Sequence, residues 1–462
     1  MTLVPTLFPG ARHSRETGPL AKIAIVGRGF TGIMTAIALL KGFERPFHLV
    51  MFDPQPKIDG GEDVNQSVTL LNSRVRDLSV NPDRRDDFRQ WLETDEAARQ
   101  RLDAVNENVD HAFVPGEIFS AYVYQRFSEA LRRRPDVVVQ VCPESVTAID
   151  RHPQSAFTVV SSDQKRTVFD AVFLATGYGL REAASEAQAL SAVRNAVVVG
   201  GGVHAVDRAL RLLAAGEASH VTLISASGFL PQSHARAAVG PITPELPLPN
   251  TLRGAFRSLR EAANIANAEG SGWQGIMNGF RLRARDLWQG LTPDERGRFK
   301  RHVKAIYDSH RNRLPPEHYQ RLHAAIASGA ITLRKSKVER IATNGVLLSS
   351  PTGLEVLPSD RTINCRLRPN DIDSPLFRSL LRTGLARRDE VELGILVDRC
   401  GRALAAPDRF QGLFAMGPLG LGSLPDIDLV PEIVLQSHAA ASALGAWIDE
   451  LAANASSARS SG

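Results

Sequence analysis

At 462 residues the chain has room for two or three domains and a sizeable core. Its 43% hydrophobic and 23% charged residues are ordinary for a globular protein and exclude a disordered or low-complexity chain. The net charge of +5 is scattered, so no nucleic-acid partner is expected.

The basic run Arg132-Arg133-Arg134 ends a predicted helix, where cations suit the carbonyl end of the dipole. Cys142, Cys365 and Cys400 are widely separated and form no CxxC, so neither a metal site nor a catalytic dithiol is expected. Reduced thiols fit a cytoplasmic location. Residues 1–21 read as a flexible lead-in whose apolar run is too short for a signal peptide. No apolar run has the length of a membrane span, and none is expected.

The first structured stretch is Lys22 to Leu40. Ile23 to Val26 predict a buried strand, and Ile33, Ile37 and Leu40 mark the helix that follows. Between them Gly27, Gly29 and Gly32 spell G-x-G-x-x-G. The three glycines permit a tight turn, approach of a pyrophosphate, and close helix–strand packing. The helix N-terminus, from Phe30 and Thr31, presents free N–H groups to the phosphates. A second apolar run, Phe47 to Phe52, ends in Asp53, 21 positions after Gly32, where a ribose hydroxyl needs an acceptor. Together these predict a dinucleotide fold.

Asn81-Pro82-Asp83 is a turn signal, and Phe88, Trp91 and Leu92 share a helical face. Phe119, Tyr122, Val123, Phe127 and Leu131 predict a helix that Pro135 ends. A strand follows at Val137 to Val141, then a hairpin near Phe157 to Val160, then a buried strand up to Leu174. That strand closes in Ala175-Thr176-Gly177, a small-residue turn suited to a cofactor. The opening unit then recurs about 170 positions on: strand Ala196 to Val199, Gly200-x-Gly202-x-x-Ala205, a helix through Leu213, and strand Val221 to Ile224. Two such folds imply two nucleotides and an electron passed between them. A duplicated fold that has lost its second ligand is the alternative.

Residues 250–329 turn helical. Thr292-Pro293-Asp294-Glu295 is a capping box ahead of Phe299, Val303, Ile306 and Tyr307. Arg281, Arg283, Arg285, Arg298, Lys300 and Arg301 read as a solvated helix face. Strands return at Ala330 to Leu333, Gly345 to Leu348 and Thr362 to Cys365. A last helix opens at Pro431 and Glu432 and runs to Leu451, ahead of a loose tail from Ser456.

The segments VGRGFTG (26–32), FDP (52–54), TLLNSRVRDLSVNPDRRDDFRQWL (69–92), FLATGYG (173–179), VVVGGGVHAVD (197–207), SHRNRLPPE (309–317), GPLGLG (417–422) and PEIVLQ (431–436) carry a resemblance. The chain resembles the FAD/NAD(P)-binding protein family of bacterial two-dinucleotide-domain flavoproteins, which includes flavin-dependent amine N-monooxygenases. The resemblance implies an α/β fold with two Rossmann-like domains plus a helical subdomain. A FAD-binding domain (22–190 and 366–452) carries an inserted NAD(P)H-binding domain (191–249 and 330–365), with helices over the cleft (250–329) and loose ends (1–21 and 453–462). FAD is expected on Gly27, Gly29, Phe30, Thr31, Gly32, Asp53, Asn72, Gly177, Gly417, Pro431 and Glu432. NADPH or NADH is expected on Gly200, Gly202 and Ser225. Asn72 is the candidate hydrogen-bond donor to the flavin edge or the peroxide. His310, Arg311 and Arg313 are the substrate candidates.

Two departures stand out. Relatives commonly show S-R-R-G where this chain has Ser225-Ala226-Ser227-Gly228. The loss removes the planar, permanently charged clamp for a 2′-phosphate. The site then takes NADH, uses His234 or Arg236 instead, or binds nothing. Relatives also show N-C-T-G where Asn364-Cys365-Arg366-Leu367 stands, and Arg366 or Arg368 becomes either an anion contact or a surface pair.

The expected activity is oxidation of a small molecule with NAD(P)H and O2, through N-hydroxylation of an amine or amino acid. The alternatives are a flavin oxidase or dehydrogenase with a degenerate second domain, and a non-catalytic dinucleotide sensor. No metal is expected. Oligomeric state is open, with a homo-oligomer allowed.

Overall fold

The computed structural model describes residues 20–54, 70–96, 99, 108–153, 156–178, 193–237, 239–243, 248–342, 344–350, 353–366, 374–404 and 412–460. The expected flexible N-terminus lies almost wholly outside them, as do Leu367 and Arg368.

The chain begins with β1 (Ala21–Val26), α1 (Phe30–Gly42) and β2 (Phe47–Phe52), as the apolar runs require. α2 (Asp87–Thr94) and α3 (Gly116–Arg132) follow, then β3 (Val138–Cys142). The turn before α2 is held by Asp83 N–H donating to Asn81 Oδ1 at 3.2 Å. The expected hairpin is the second half of an antiparallel meander, β4 (Val146–His152), β5 (Ala156–Ser161) and β6 (Arg166–Phe169). β7 (Ala171–Leu174) then returns to β1, in parallel.

A second unit repeats the first. β8 (Val193–Val199), α4 (Val203–Ala214) and β9 (Ala218–Ser225) lead to six helices: α5 (Leu252–Ala268), α6 (Trp273–Arg281), α7 (Ala284–Gly290), α8 (Pro293–Arg298), α9 (Lys304–Arg311) and α10 (Pro316–Ala327). β10 (Ile331–Lys335), a meander of β11 (Lys337–Ala342), β12 (Gly345–Ser350) and β13 (Gly353–Pro358), and β14 (Arg361–Asn364) complete it. The chain then returns to the first unit through α11 (Pro375–Arg382), β15 (Leu413–Ala415) and α12 (Val430–Ser460). α12 runs past the expected end at Leu451, because the Ala- and Ser-rich sequence beyond it holds no Gly or Pro before Ser460.

The first sheet has the order β15-β7-β1-β2-β3 and the second β10-β9-β8-β14, both all-parallel. Leaving out β15, the second order is the first reversed, with β14, β8, β9 and β10 answering β7, β1, β2 and β3. Each parallel sheet is covered on both faces, which is why its strands read as unbroken apolar runs. Ile23, Ile25, Leu49, Met51 and Phe173 pack with residues of α1, α3 and α12. Ala24, Val26, Val50, Phe52 and Leu174 face the other way, toward the first meander and α11. In the second unit Val198 and Leu223 pack with Ala205, Ala209 and Leu322, while Val197, Val199 and Ile224 meet Val346 and Leu348 of the second meander. The helical stripes and the strands, buried on both faces, therefore build apolar layers around two glycine loops.

Candidate functional site

The first glycine loop is made by backbone contact. Gly27 has φ +102°, and a Cβ there would lie 2.5 Å from Ala175 O. A Cβ on Gly32 would lie 2.1 Å from Gly27 O. Strand, loop and helix can meet this closely only without side chains. At Gly29 the opposite holds: no atom lies within 4 Å of a Cβ, so that face is open. Gly29 also starts α1 without a capping side chain, leaving the helix N–H groups for an anion. Phe30 packs on Phe119 with ring centroids 5.5 Å apart. Thr31 supports Gly417, whose Cβ position is 2.9 Å from Thr31 Oγ1.

Asp53 Oδ2 accepts the Arg28 N–H at 2.7 Å, so this acid at the end of β2 also fixes the loop. Across the loop, Thr176 Oγ1 is buried without a hydrogen-bond partner, and Gly177 has φ +66° with open space beside it. An uncapped helix start, an orphaned hydroxyl and two open glycines fit a dinucleotide. Gly417 N–H donates to Gln436 Oε1 at 2.7 Å, which ties the Gly417 turn to α12. Pro431 lies at the start of α12. Glu432 beside it is held by Arg285 Nη2 at 2.9 Å, and burial keeps its carboxyl above the usual range.

The second loop repeats this geometry. Gly200 has φ +144° and its Cβ position is 3.0 Å from Cys365 O. Gly202, at the uncapped start of α4, is open like Gly29. Ser225 is 2% exposed. Its Oγ donates to Phe229 O at 3.0 Å and accepts the Gly228 N–H at 3.1 Å, so it organises its own turn.

A cleft of about 670 Å³ opens over this second loop. Gly200, Gly202 and Ser227 form one wall, and Leu252, Phe256, Trp288 and Phe299 of the helical segment form the apolar wall opposite. Trp288 is locked by its Nε1–H donating to Gly422 O at 2.8 Å. Tyr178, Leu421, Pro425, Asp426 and Asp428 bring the first unit into the same cleft.

At the polar end sits Arg311, only 8% exposed. Nη1 donates to Asp426 Oδ1 at 2.6 Å and to Asp428 Oδ1 at 2.8 Å, and Nη2 donates to Asp428 Oδ2 at 2.7 Å. Tyr178 O–H donates to Asp428 Oδ2 at 2.8 Å. Burial opposes ionisation of Asp428, but Arg311 outweighs it and holds the carboxyl at about 2. Burial together with Asp428 pushes the Tyr178 phenol well up.

The substrate candidates separate. Arg311 lines the cleft, but its charge is met by the hydrogen-bonded carboxylates of Asp426 and Asp428, with Asp308 3.8 Å from Nε. His310 lies against Trp273, with ring centroids 4.9 Å apart, and its Nδ1 meets Ile306 O at 2.9 Å. Arg313 turns toward the same Trp273 and donates to Asn278 Oδ1. Asn72 meets the second unit through its carbonyl, which accepts from His234 Nε2 at 2.9 Å. His234 therefore serves this seam and does not reach the Ser225–Gly228 turn. Arg281 lies 3.5 Å from Asp426 and Arg285 pairs with Glu432, so these two tie the helices to the first unit, which corrects their reading as a solvated face. Tyr178, Asp426, Asp428 and Trp288 were not singled out from sequence. The FLATGYG stretch was the only signal for Tyr178. Nothing local marks the other three.

Among the described residues there is no group of three metal-ligating side chains. None of their helices is long and apolar enough to cross a membrane.

Residues 24–179 match the FAD-NAD(P)-binding family model. No curated protein sequence matches the chain. The fold is similar to ornithine hydroxylase from Pseudomonas aeruginosa, at 16% identity and TM-score 0.57 over 92% of this chain and 99% of that one. It is similar to ornithine N-hydroxylase from Kutzneria sp. 744, seen with reduced FAD, NADP+ and L-ornithine, at 18% identity and TM-score 0.57 over 92% and 98%. It is also similar to L-lysine 6-monooxygenase from Pseudomonas syringae, at 15% identity and TM-score 0.58 over 92% and 99%. At these identities the likeness is one of fold.

Two outcomes follow. Arg311→Met leaves Asp428 buried without its cation, while Asp426 keeps only Arg281 at 3.5 Å, and unfolding stability should fall by about 3–5 kcal/mol. Urea titration checks this, and Arg311→Met/Asp428→Asn should recover part of the loss. His234 is held neutral at about 3, chiefly by burial and then by Arg313. Its folded value is below the unfolded 6.5, so its contribution is complete above pH 6.5 and is lost as pH falls toward 3. Melting temperature measured from pH 7 down to 4 should fall less steeply in His234→Gln than in the parent. Parallel curves would contradict this.

Proposed function

We propose that the chain is an FAD-dependent monooxygenase that uses NAD(P)H and O2 to N-hydroxylate a small amine or amino acid. The observation that carries this reading is the shared cleft. Residues of the second glycine loop and residues flanking the first unit's Gly177 and α12 face one space. A single space is what two nucleotides need for electron transfer, because the chemistry itself belongs to the cofactor. The overall balance is amine + O2 + NAD(P)H + H+ giving hydroxylamine + H2O + NAD(P)+.

The first loop, Gly27 to Gly32, holds the FAD pyrophosphate against the start of α1. Asp53 keeps that loop in shape through Arg28 and stands at the ribose. Thr176, Gly177 and Gly417 would flank the approach to the ring, and Asn72 would offer its amide to the ring edge. The second loop holds the nicotinamide nucleotide. When bound, the flavin supplies hydride acceptance and oxygen activation. The apolar wall of Leu252, Phe256, Trp288 and Phe299 excludes water, which limits uncoupled loss of oxidising equivalents. The named fold neighbours act on ornithine and lysine, both primary amines, which supports an amine as substrate.

The test is turnover with a panel of primary amines, including ornithine, lysine and cadaverine, in air with NADPH or NADH. The reading predicts amine-dependent NAD(P)H oxidation and a product one oxygen heavier that behaves as a hydroxylamine. NAD(P)H oxidation that yields only hydrogen peroxide whatever amine is present would contradict it.

A further inference from the structure

The turn that closes the second nucleotide site carries no charge of its own. NAD-binding folds place an acid at the end of the second strand, where it accepts the ribose 2′-hydroxyl. Here β9 ends in Ser225, and the turn Ser225–Gly228 has neither acid nor arginine. Ser225 Oγ is committed to Phe229 O and Gly228 N–H, while Ser227 Oγ accepts the Phe229 N–H at 3.2 Å. The turn packs directly on the glycine loop, since a Cβ on Gly201 would lie 2.5 Å from Ser225 Oγ.

A cation reaches this turn from the next strand. β10 runs parallel to β9 with Lys335 in register opposite Ser225. The Lys335 side chain lies along Gly228: a Cβ there would be 3.4 Å from Lys335 Cβ and 3.0 Å from its Cδ. Neighbouring cations are occupied, Arg334 by Glu355 and Lys337 by Glu339 at 2.9 Å. Lys335 is exposed and forms no ion pair or hydrogen bond with the described residues. Of the other cations named for this role, His234 bonds Asn72.

We propose that the second site selects a dinucleotide bearing a 2′-phosphate, with Lys335 supplying from β10 the cation that the Ser225–Gly228 turn lacks. The proposal rests on the reading of this fold as a nicotinamide-nucleotide site. A lysine ammonium binds phosphate as a point charge and needs no fork geometry, so it can serve from a neighbouring strand. Because Lys335 is exposed, the contact should weaken as salt rises.

The test is calorimetric binding of NADP+ and NAD+ to the FAD-loaded protein, which needs no turnover. The parent should bind NADP+ at least tenfold more tightly than NAD+. Lys335→Met should lose most of that preference by weakening NADP+ alone, and Lys335→Arg should keep it. An unchanged flavin spectrum and melting temperature would show the variant folded, as expected for an exposed side chain. The preference should shrink at high salt in the parent but not in Lys335→Met. Equal affinities in the parent, or an NADP+ preference that survives Lys335→Met, would overturn the proposal and leave the nucleotide site standing. Binding of neither nucleotide would overturn the nucleotide-site reading along with it.

Discussion

Three parts of the molecule converge around Arg311. It sits at the end of α9 in the helical segment. Asp426 and Asp428 come from the loop before α12, and Tyr178 follows the Thr176-Gly177 turn of the first sheet. A guanidinium this deeply buried is tolerable only because charged partners meet it. Asp426 sits at φ +64°, a conformation a non-glycine residue rarely adopts, and Arg311 and Arg281 both hold it there. The knot ties the helices over the second loop to the first unit, with the Arg311 charge already paired. A charged substrate group entering there must compete with groups already paired.

Around that knot the fold is a repeat. Each half runs strand, glycine loop, helix, strand, then a third parallel strand, an antiparallel meander and a return strand. The repeat explains why Gly29 and Gly202 are both open at uncapped helix starts, and why Gly27 and Gly200 both meet the carbonyl of the residue after the return strand. The halves differ in what surrounds the loops. The first has Asp53 after its second strand, where it holds Arg28. The second has a neutral serine turn and takes its charge from a neighbouring strand. Function therefore diverges at the rims of a shared scaffold.

The glycine loops, most buried strands and the capped helix from Pro293 were legible in sequence because each is a local pattern. Unbroken apolar runs and period-3.6 apolar spacing report burial directly. The meanders were less legible: β13 is largely exposed along Gly353 to Pro358, so no alternation marks it. The site was legible only in part. His310, Arg311 and Arg313 are neighbours in sequence, but the end of α9 sends His310 and Arg313 toward Trp273, and of the three only Arg311 faces the cleft. Asp426 and Asp428 carry no signature because their meaning comes from a partner more than a hundred positions away. Lys335 is likewise meaningful only once β10 is seen beside β9.

The central claim is that two nucleotides meet in one space. The most direct measurement is the visible spectrum of the FAD-loaded protein mixed with NADPH without oxygen, then exposed to air. Bleaching of the flavin followed by its return is the predicted result. A flavin spectrum that NADPH and NADH both leave unchanged, with primary amines present or absent, would contradict it.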